Sequence, residues 1–233
     1  MNRRHFFGSV LGGATLGGLS LASGPASDAA SGEQAFKTIP AALRRRNRFR
    51  NVPLITHEGR EVRFYDDLLK DKTVLLNFFY TTCVAEAICP LTTANLVEVQ
   101  KLLGARVGQD LFMYSITLDP EQDTPPVLKA YARAFQVKPG WLFLTGATAD
   151  IEALRRNLGY VDLDPVTDRD RSQHLGMVRY GIEPLERWAG CPSLSEPRTI
   201  VDFLTRLDPT RDWRGVGDSE IRPVPAPAHD HHG

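Results

Sequence analysis

The stretch that decides the fold is TVLLNFFY, residues 73–80. It is a nearly continuous apolar run of strand length, the pattern of a strand covered on both faces at the centre of an α/β sheet. A second such run, LFMYSITL at residues 111–118, follows it. Between them, residues 91–103 place Leu96, Val99 and Leu103 on one helical face and stop at Gly104. Strand, helix, strand in that order implies a βαβ crossover.

Working outward, Asp123, Thr124 and Pro125 begin a further helix with a capping residue and a proline in its first turn. Val127, Leu128, Tyr131 and Phe135 continue it at helical spacing. Residues 141–144 are short and strand-like, Thr148 or Asp150 caps a helix running to Leu158, residues 177–180 form another strand, and residues 195–207 a final helix. Upstream, residues 52–56, a turn at His57, Glu58 and Gly59, and the alternating Val62 and Phe64 predict an N-terminal β-hairpin, with His57 a turn residue rather than a ligand. The expectation is a mixed central sheet with helices on both faces.

The ends read differently. Arg3 and Arg4, followed by a Gly-rich, weakly apolar run and small residues near Ala26, Ala29 and Ala30, describe a twin-arginine-type signal peptide over residues 1–30. An exported, periplasmic location follows, and an uncleaved leader would tether the chain to a membrane. Residues 31–50 turn small, polar and then basic, with Arg44, Arg45, Arg46, Arg48 and Arg50 reading as a solvated linker. The folded domain is expected over residues 51–210, and residues 211–233 read as a disordered tail carrying His229, His231 and His232. Those histidines either bind Cu(II) or Ni(II) weakly or are simply solvated.

Twenty-eight basic residues balance 28 acidic ones, so no global charge recruits nucleic acid or an anionic membrane surface. Three cysteines argue against a disulfide-stapled mini-domain and for a few chemically employed thiols. Cys83 follows the central strand by three residues, and Cys89 precedes Pro90 at the entrance to the next helix. Functional groups gather at the carboxyl ends of parallel strands, and a helix N-terminus stabilises a thiolate, so both thiols are expected to be reactive. The alternative is a pair of inert thiols or a structural disulfide. Two thiolates suit either a reversible disulfide or a soft metal such as Cu(I) or zinc. Copper requires a third ligand, and His174, just before the strand at residues 177–180, is the best candidate. A lone histidine there is otherwise a hydrogen-bonded structural residue. Cys191, in AGCPSL, has no partner at useful spacing and reads as structural.

NFFYTTC, ICPLTTANL, SITLDPEQDTP, YARAF, KPGWLFLTG and the isolated His174 together resemble the Sco/SenC copper chaperones over residues 52–180. The resemblance implies a thioredoxin-like fold, Cys83 and Cys89 as metal-binding, redox-active cysteines, and His174 as third copper ligand. It implies as partner the copper-bearing subunit of cytochrome c oxidase, or another copper carrier, with the protein delivering copper to the binuclear centre or keeping its thiols reduced. Asp119, Pro120, Glu121, Asp123, Thr124 and Pro125 resemble the family's acidic loop, whose physical reading is a turn and helix cap. The family spaces its cysteines by three residues; here there are five, Val84, Ala85, Glu86, Ala87 and Ile88. Two extra residues add only about half a kcal/mol or less to loop closure, so the thiols are expected to meet.

The functional expectation is a monomeric metallochaperone rather than an ordinary enzyme. The competing reading is a thiol–disulfide oxidoreductase acting on exported proteins, and a weaker one is a peroxidase or redox sensor.

Overall fold

The computed structural model describes residues 40–83, 88–170 and 176–207. The expected leader, the His-containing tail, His174 and four of the five spacer residues lie outside the described residues.

Strands β1 (Pro53–Thr56) and β2 (Glu61–Arg63) form the expected antiparallel hairpin. Strands β3 (Thr73–Phe79), β4 (Leu111–Thr117) and β5 (Trp141–Thr145) are parallel neighbours. Strand β6 (Met177–Ile182) runs antiparallel beside β3, and β7 (Arg187–Pro192) antiparallel beside β6. One mixed sheet results, in the order β2-β1-β5-β4-β3-β6-β7. The helices are α1 (Ala41–Arg48), α2 (Ile88–Leu103), α3 (Pro125–Ala134), α4 (Thr148–Asn157), α5 (Pro165–Arg169) and α6 (Pro197–Leu207).

Every residue of β3 is buried, as its apolar run requires. Its side chains alternate between two cores. Leu75 and Phe79 join Leu96 and Val99 of α2, Leu128 of α3 and Ile200 of α6. Val74, Leu76 and Phe78 join Phe64, Leu68, Ile151 and Leu154 on the other face. Period-two alternation at the sheet centre thus explains why both faces need helical cover.

Some expectations are corrected. Phe64 does not extend the hairpin; it opens a short π-helical turn, Phe64–Leu69, that buries Phe64, Tyr65, Leu68 and Leu69. Neither Thr148 nor Asp150 caps α4, because the helix already begins at Thr148 and its cap position is Ala147. Val127 is exposed, since the buried stripe of α3 runs through Leu128 and Ala132. The basic stretch before residue 50 carries α1, and its Arg45 is not solvated: it reaches the buried Glu183 at 3.2 Å and Asp71 at 3.4 Å. Tyr65 donates to the same Glu183 carboxylate at 2.8 Å, so the buried charge has both an ion-pair partner and hydrogen bonds. Strand β7 was not legible in its mixed sequence; it pairs with β6 because Gly181 leaves room for Trp188, whose ring would come within 2.3 Å of any Cβ there.

His57 sits in the hairpin turn, as read. Its N–H donates to the Phe143 carbonyl at 2.8 Å and its Nδ1 accepts from the Phe143 N–H at 3.2 Å, prolonging the β1–β5 pairing.

Candidate functional site

Strand β3 carries the chain to the carboxyl edge of the sheet, and the Leu118 N–H, donating to the Phe79 carbonyl at 2.7 Å, extends its pairing with β4 one step further. The chain then turns through Thr81 and Thr82 to Cys83. That turn is held from beneath by Asp123, whose side chain is wholly buried. Its carboxylate accepts from the Thr81 N–H at 3.1 Å, from the Thr81 hydroxyl, and from the Thr117 hydroxyl at 2.5 Å.

This corrects the reading of the acidic loop as a cap. The cap position of α3 is Thr124, no side chain caps the helix, and Pro125 removes one of the amide donors that would need capping. Three internal donors hold a carboxylate more strongly than one amide at a solvated helix end.

Cys83 and Cys89 are both buried, at 4% and 1% exposure. Cys89 lies in the first turn of α2. The Cys83 side chain lies within hydrogen-bonding reach of both Cys89 and the Tyr80 hydroxyl. The five-residue spacer therefore does not keep the sulfurs apart. Behind Cys89, the Thr93 hydroxyl donates to the Cys89 carbonyl at 2.9 Å and lies 3.0 Å from the Tyr131 hydroxyl. Tyr131 is in turn wedged between Phe79, Phe135 and Phe143, with ring centroids 4.8–5.8 Å apart.

Burial dominates the electrostatics. It pushes the Cys89 thiol well above its ordinary value, against a hydrogen bond from the Tyr80 backbone that favours the thiolate, and with Cys83 and Asp123 adding to the rise. Burial thus works against the helix-activated thiolate expected of Cys89. Tyr80 is pushed up to about 12, first by burial and then by its bond to Cys83. At neutral pH, Cys89 and Tyr80 are protonated.

His174 lies outside the described residues, but the chain two residues later does not. Gly176 packs so closely on Ile88, the neighbour of Cys89, that a Cβ would lie 2.5 Å from the Ile88 Cδ1. The Gly176 carbonyl accepts from the Ser193 N–H at 2.8 Å, and the Ser193 hydroxyl is 2.7 Å from that of Thr92 on α2. Asn95 donates to the carbonyls of Ser193 and Ser195 at 2.9 and 2.7 Å. The start of β6 is therefore stitched to the first turns of the cysteine helix. Sequence reasoning missed these residues; the signal was the run of polar Thr92, Thr93 and Asn95 on a helix that is otherwise apolar toward the sheet.

Among the described residues no group of three His, Cys, Asp or Glu side chains is arranged to hold a metal. Cys191 is buried in β7, its thiol raised by desolvation and drawn back by a hydrogen bond with Ser195.

Two thiols in contact can lose two electrons and two protons to become a disulfide, or lose protons and hold a thiophilic cation. A mixed sheet whose central strand hands one cysteine to the turn and a second to the following helix defines a thioredoxin-like dithiol protein. The model of the SCO1/SenC family matches residues 45–177, and the chain belongs to that family. The SCO1 protein homolog of Bacillus subtilis is 39% identical over 79 residues, 34% of this chain. The match spans only 39% of that relative's length. The structure of Bradyrhizobium japonicum ScoI with copper bound superposes with a TM-score of 0.53 at 25% identity, over 68% of this chain and 99% of that one. BsSco, described as a member of the Sco family of cytochrome c oxidase assembly proteins with a disulfide switch, superposes with a TM-score of 0.54 at 23% identity, over 70% of this chain and 95% of its own.

Proposed function

We propose that Cys83, Cys89 and His174 hold copper as cargo and pass it by ligand exchange to a copper-accepting partner, the copper-bearing subunit of cytochrome c oxidase or another copper carrier. The observation that carries this reading is the contact between the two thiols, a soft donor pair suited to Cu(I) and accepted by Cu(II). The packing of Gly176 on Ile88 supports the third ligand, because it brings the chain two residues after His174 against the residue that precedes Cys89. Copper loading displaces the thiol protons, and a site of only three ligands leaves a position open for the partner's incoming donor. Family membership and the copper-bound ScoI relative agree with this. Delivery is expected outside the cytoplasm, after export directed by residues 1–30.

A second reading, thiol–disulfide exchange, is favoured by the same thiol contact. One thiolate attacks a partner disulfide and expels the partner's thiolate; the other attacks the mixed disulfide, leaving Cys83 and Cys89 oxidised to a disulfide and the partner reduced to a dithiol. Anaerobic copper titration of the reduced protein, followed by absorption and metal analysis, separates the two. One copper per chain, lost in Cys83→Ser and Cys89→Ser and strongly weakened in His174→Ala with disulfide exchange preserved, supports transport. No copper uptake by the unsubstituted protein, or equal loss of both activities in His174→Ala, supports exchange.

A further inference from the structure

Away from the cysteine pair, a cavity of about 420 Å³ opens between the β1–β2 turn, α3 and the loop entering β5. Four cationic side chains line it, Arg60, Lys129, Arg133 and Lys138, against a single carboxylate, Glu58. That carboxylate is already engaged, at 3.4 Å from Arg60. Lys129 and Arg133 are four residues apart on α3 and share a face. Neither they nor Lys138 has an ion-pair partner among the described residues. A chain whose 28 basic and 28 acidic residues balance has therefore gathered in one concavity three cations that no carboxylate pairs among the described residues. Left empty, they repel one another.

The cavity wall is tied together by hydrogen bonds and close packing. The Lys138 N–H donates to the Gln100 side-chain carbonyl at 3.0 Å, and the Gln100 amide returns a bond to the Lys138 carbonyl at 2.9 Å. Gly140, at φ +91°, lies so close to Gly108 that a Cβ would come within 2.4 Å of that backbone. No side chain can intrude there. His57 adds a donor to the same lining: its Nδ1 accepts from Phe143, so the neutral ring carries its proton on Nε2. Val137, Trp141 and Leu142 complete the lining with apolar surface.

We infer that this cavity is an anion site for a phosphate-bearing ligand, built by Lys129, Arg133, Lys138 and Arg60 and separate from the dithiol. Two guanidinium forks and two ammonium groups match the charge and oxygen geometry of phosphate. The volume and apolar lining admit a phosphate ester rather than a bare ion alone, and the ester is supplied either by a soluble phosphomonoester or by the headgroup of an anionic lipid.

Calorimetric titration with inorganic phosphate and glycerol phosphate, beside flotation with vesicles of pure phosphatidylglycerol and of pure phosphatidylcholine, tests the site on the full chain. Saturable binding of the soluble anions, weakened about tenfold or more in Lys129→Gln/Arg133→Gln and unchanged in the Lys70→Gln control, supports the site with a soluble ligand. Flotation with phosphatidylglycerol vesicles alone, lost in the same double variant, supports it with a lipid source. The substituted residues are exposed, and near-ultraviolet circular dichroism checks that the variant keeps its fold. Absence of binding in every arm, or binding equal in the double variant and the Lys70→Gln control, overturns the inference.

Discussion

The Asp123 carboxylate, shut away from solvent, accepts hydrogen bonds from both the backbone N–H and the hydroxyl of Thr81, two residues before Cys83. A residue of the loop after β4 thereby sets the path of the chain leaving β3. Removing one acceptor oxygen in Asp123→Asn places an amide N–H against a hydroxyl or N–H donor. We expect a stability loss of about 2–3 kcal/mol by urea unfolding, together with weakened copper retention. Unchanged stability and unchanged copper binding would show that Asp123 does not hold the turn.

The raised Cys89 thiol predicts a pH dependence. An ordinary thiol titrates near about 8.5, and burial moves Cys89 above that. Alkylation of Cys89 in the reduced, metal-free protein should stay slow through the range where an exposed cysteine already reacts. The sign for stability follows: below the unfolded value both states hold the proton, and above it the unfolded chain releases a proton that the native state retains, so stability falls as pH rises. Denaturant midpoints collected with rising pH check the fall, and mass spectrometry of alkylated peptides checks the rate.

Gly176 and Ile88 should behave as a coupled pair. A Cβ at Gly176 would be 2.5 Å from the Ile88 Cδ1, a methyl at the end of a side chain. Gly176→Ala should therefore cost about 1–3 kcal/mol by overpacking, and Ile88→Val, which removes that methyl, should recover part of it in the double variant. Strict additivity of the two changes would refute the contact.

Acid behaviour should be governed in part by Asp168. Its carboxylate takes both Arg155 Nη groups at 2.7 and 2.9 Å and the Asp162 N–H at 2.9 Å, which hold it far below the usual carboxylate range. A lowered native value means that its stabilisation is full above the unfolded value of about 3.9 and is lost as pH falls toward the native one. The advantage of the unsubstituted protein over Asp168→Asn should be constant near neutrality and shrink only below about pH 4. Thermal melts of both proteins across the acid range measure it.

Much of the fold was legible because burial on two faces leaves an unmistakable mark: residues 73–80 and 111–118 are nearly all apolar, and both became central strands. The cysteines stood out for the same local reason, a thiol just past such a strand and another at the helix entrance. Strand β7 left no such mark, because an edge strand exposes half its residues and its pairing depends on Gly181 making space for Trp188. Asp123 was misplaced because Asp before Thr-Pro has the local signature of a helix start, while its three donors come from residues 81 and 117.

What the sequence by itself determined was the order of strands β1 to β6 with helices α2, α3, α4 and α6, and the presence of two thiols at a strand-to-helix junction, since hydrophobic period and turn chemistry are local properties of the chain. Only the tertiary structure decided that the two sulfurs meet across a lengthened spacer, that Asp123 serves the Cys83 turn rather than α3, and that the start of β6 is pressed against Ile88. Those outcomes depend on contacts between residues far apart in the chain, and on desolvation, which raises the Cys89 thiol once neighbouring elements have closed over it.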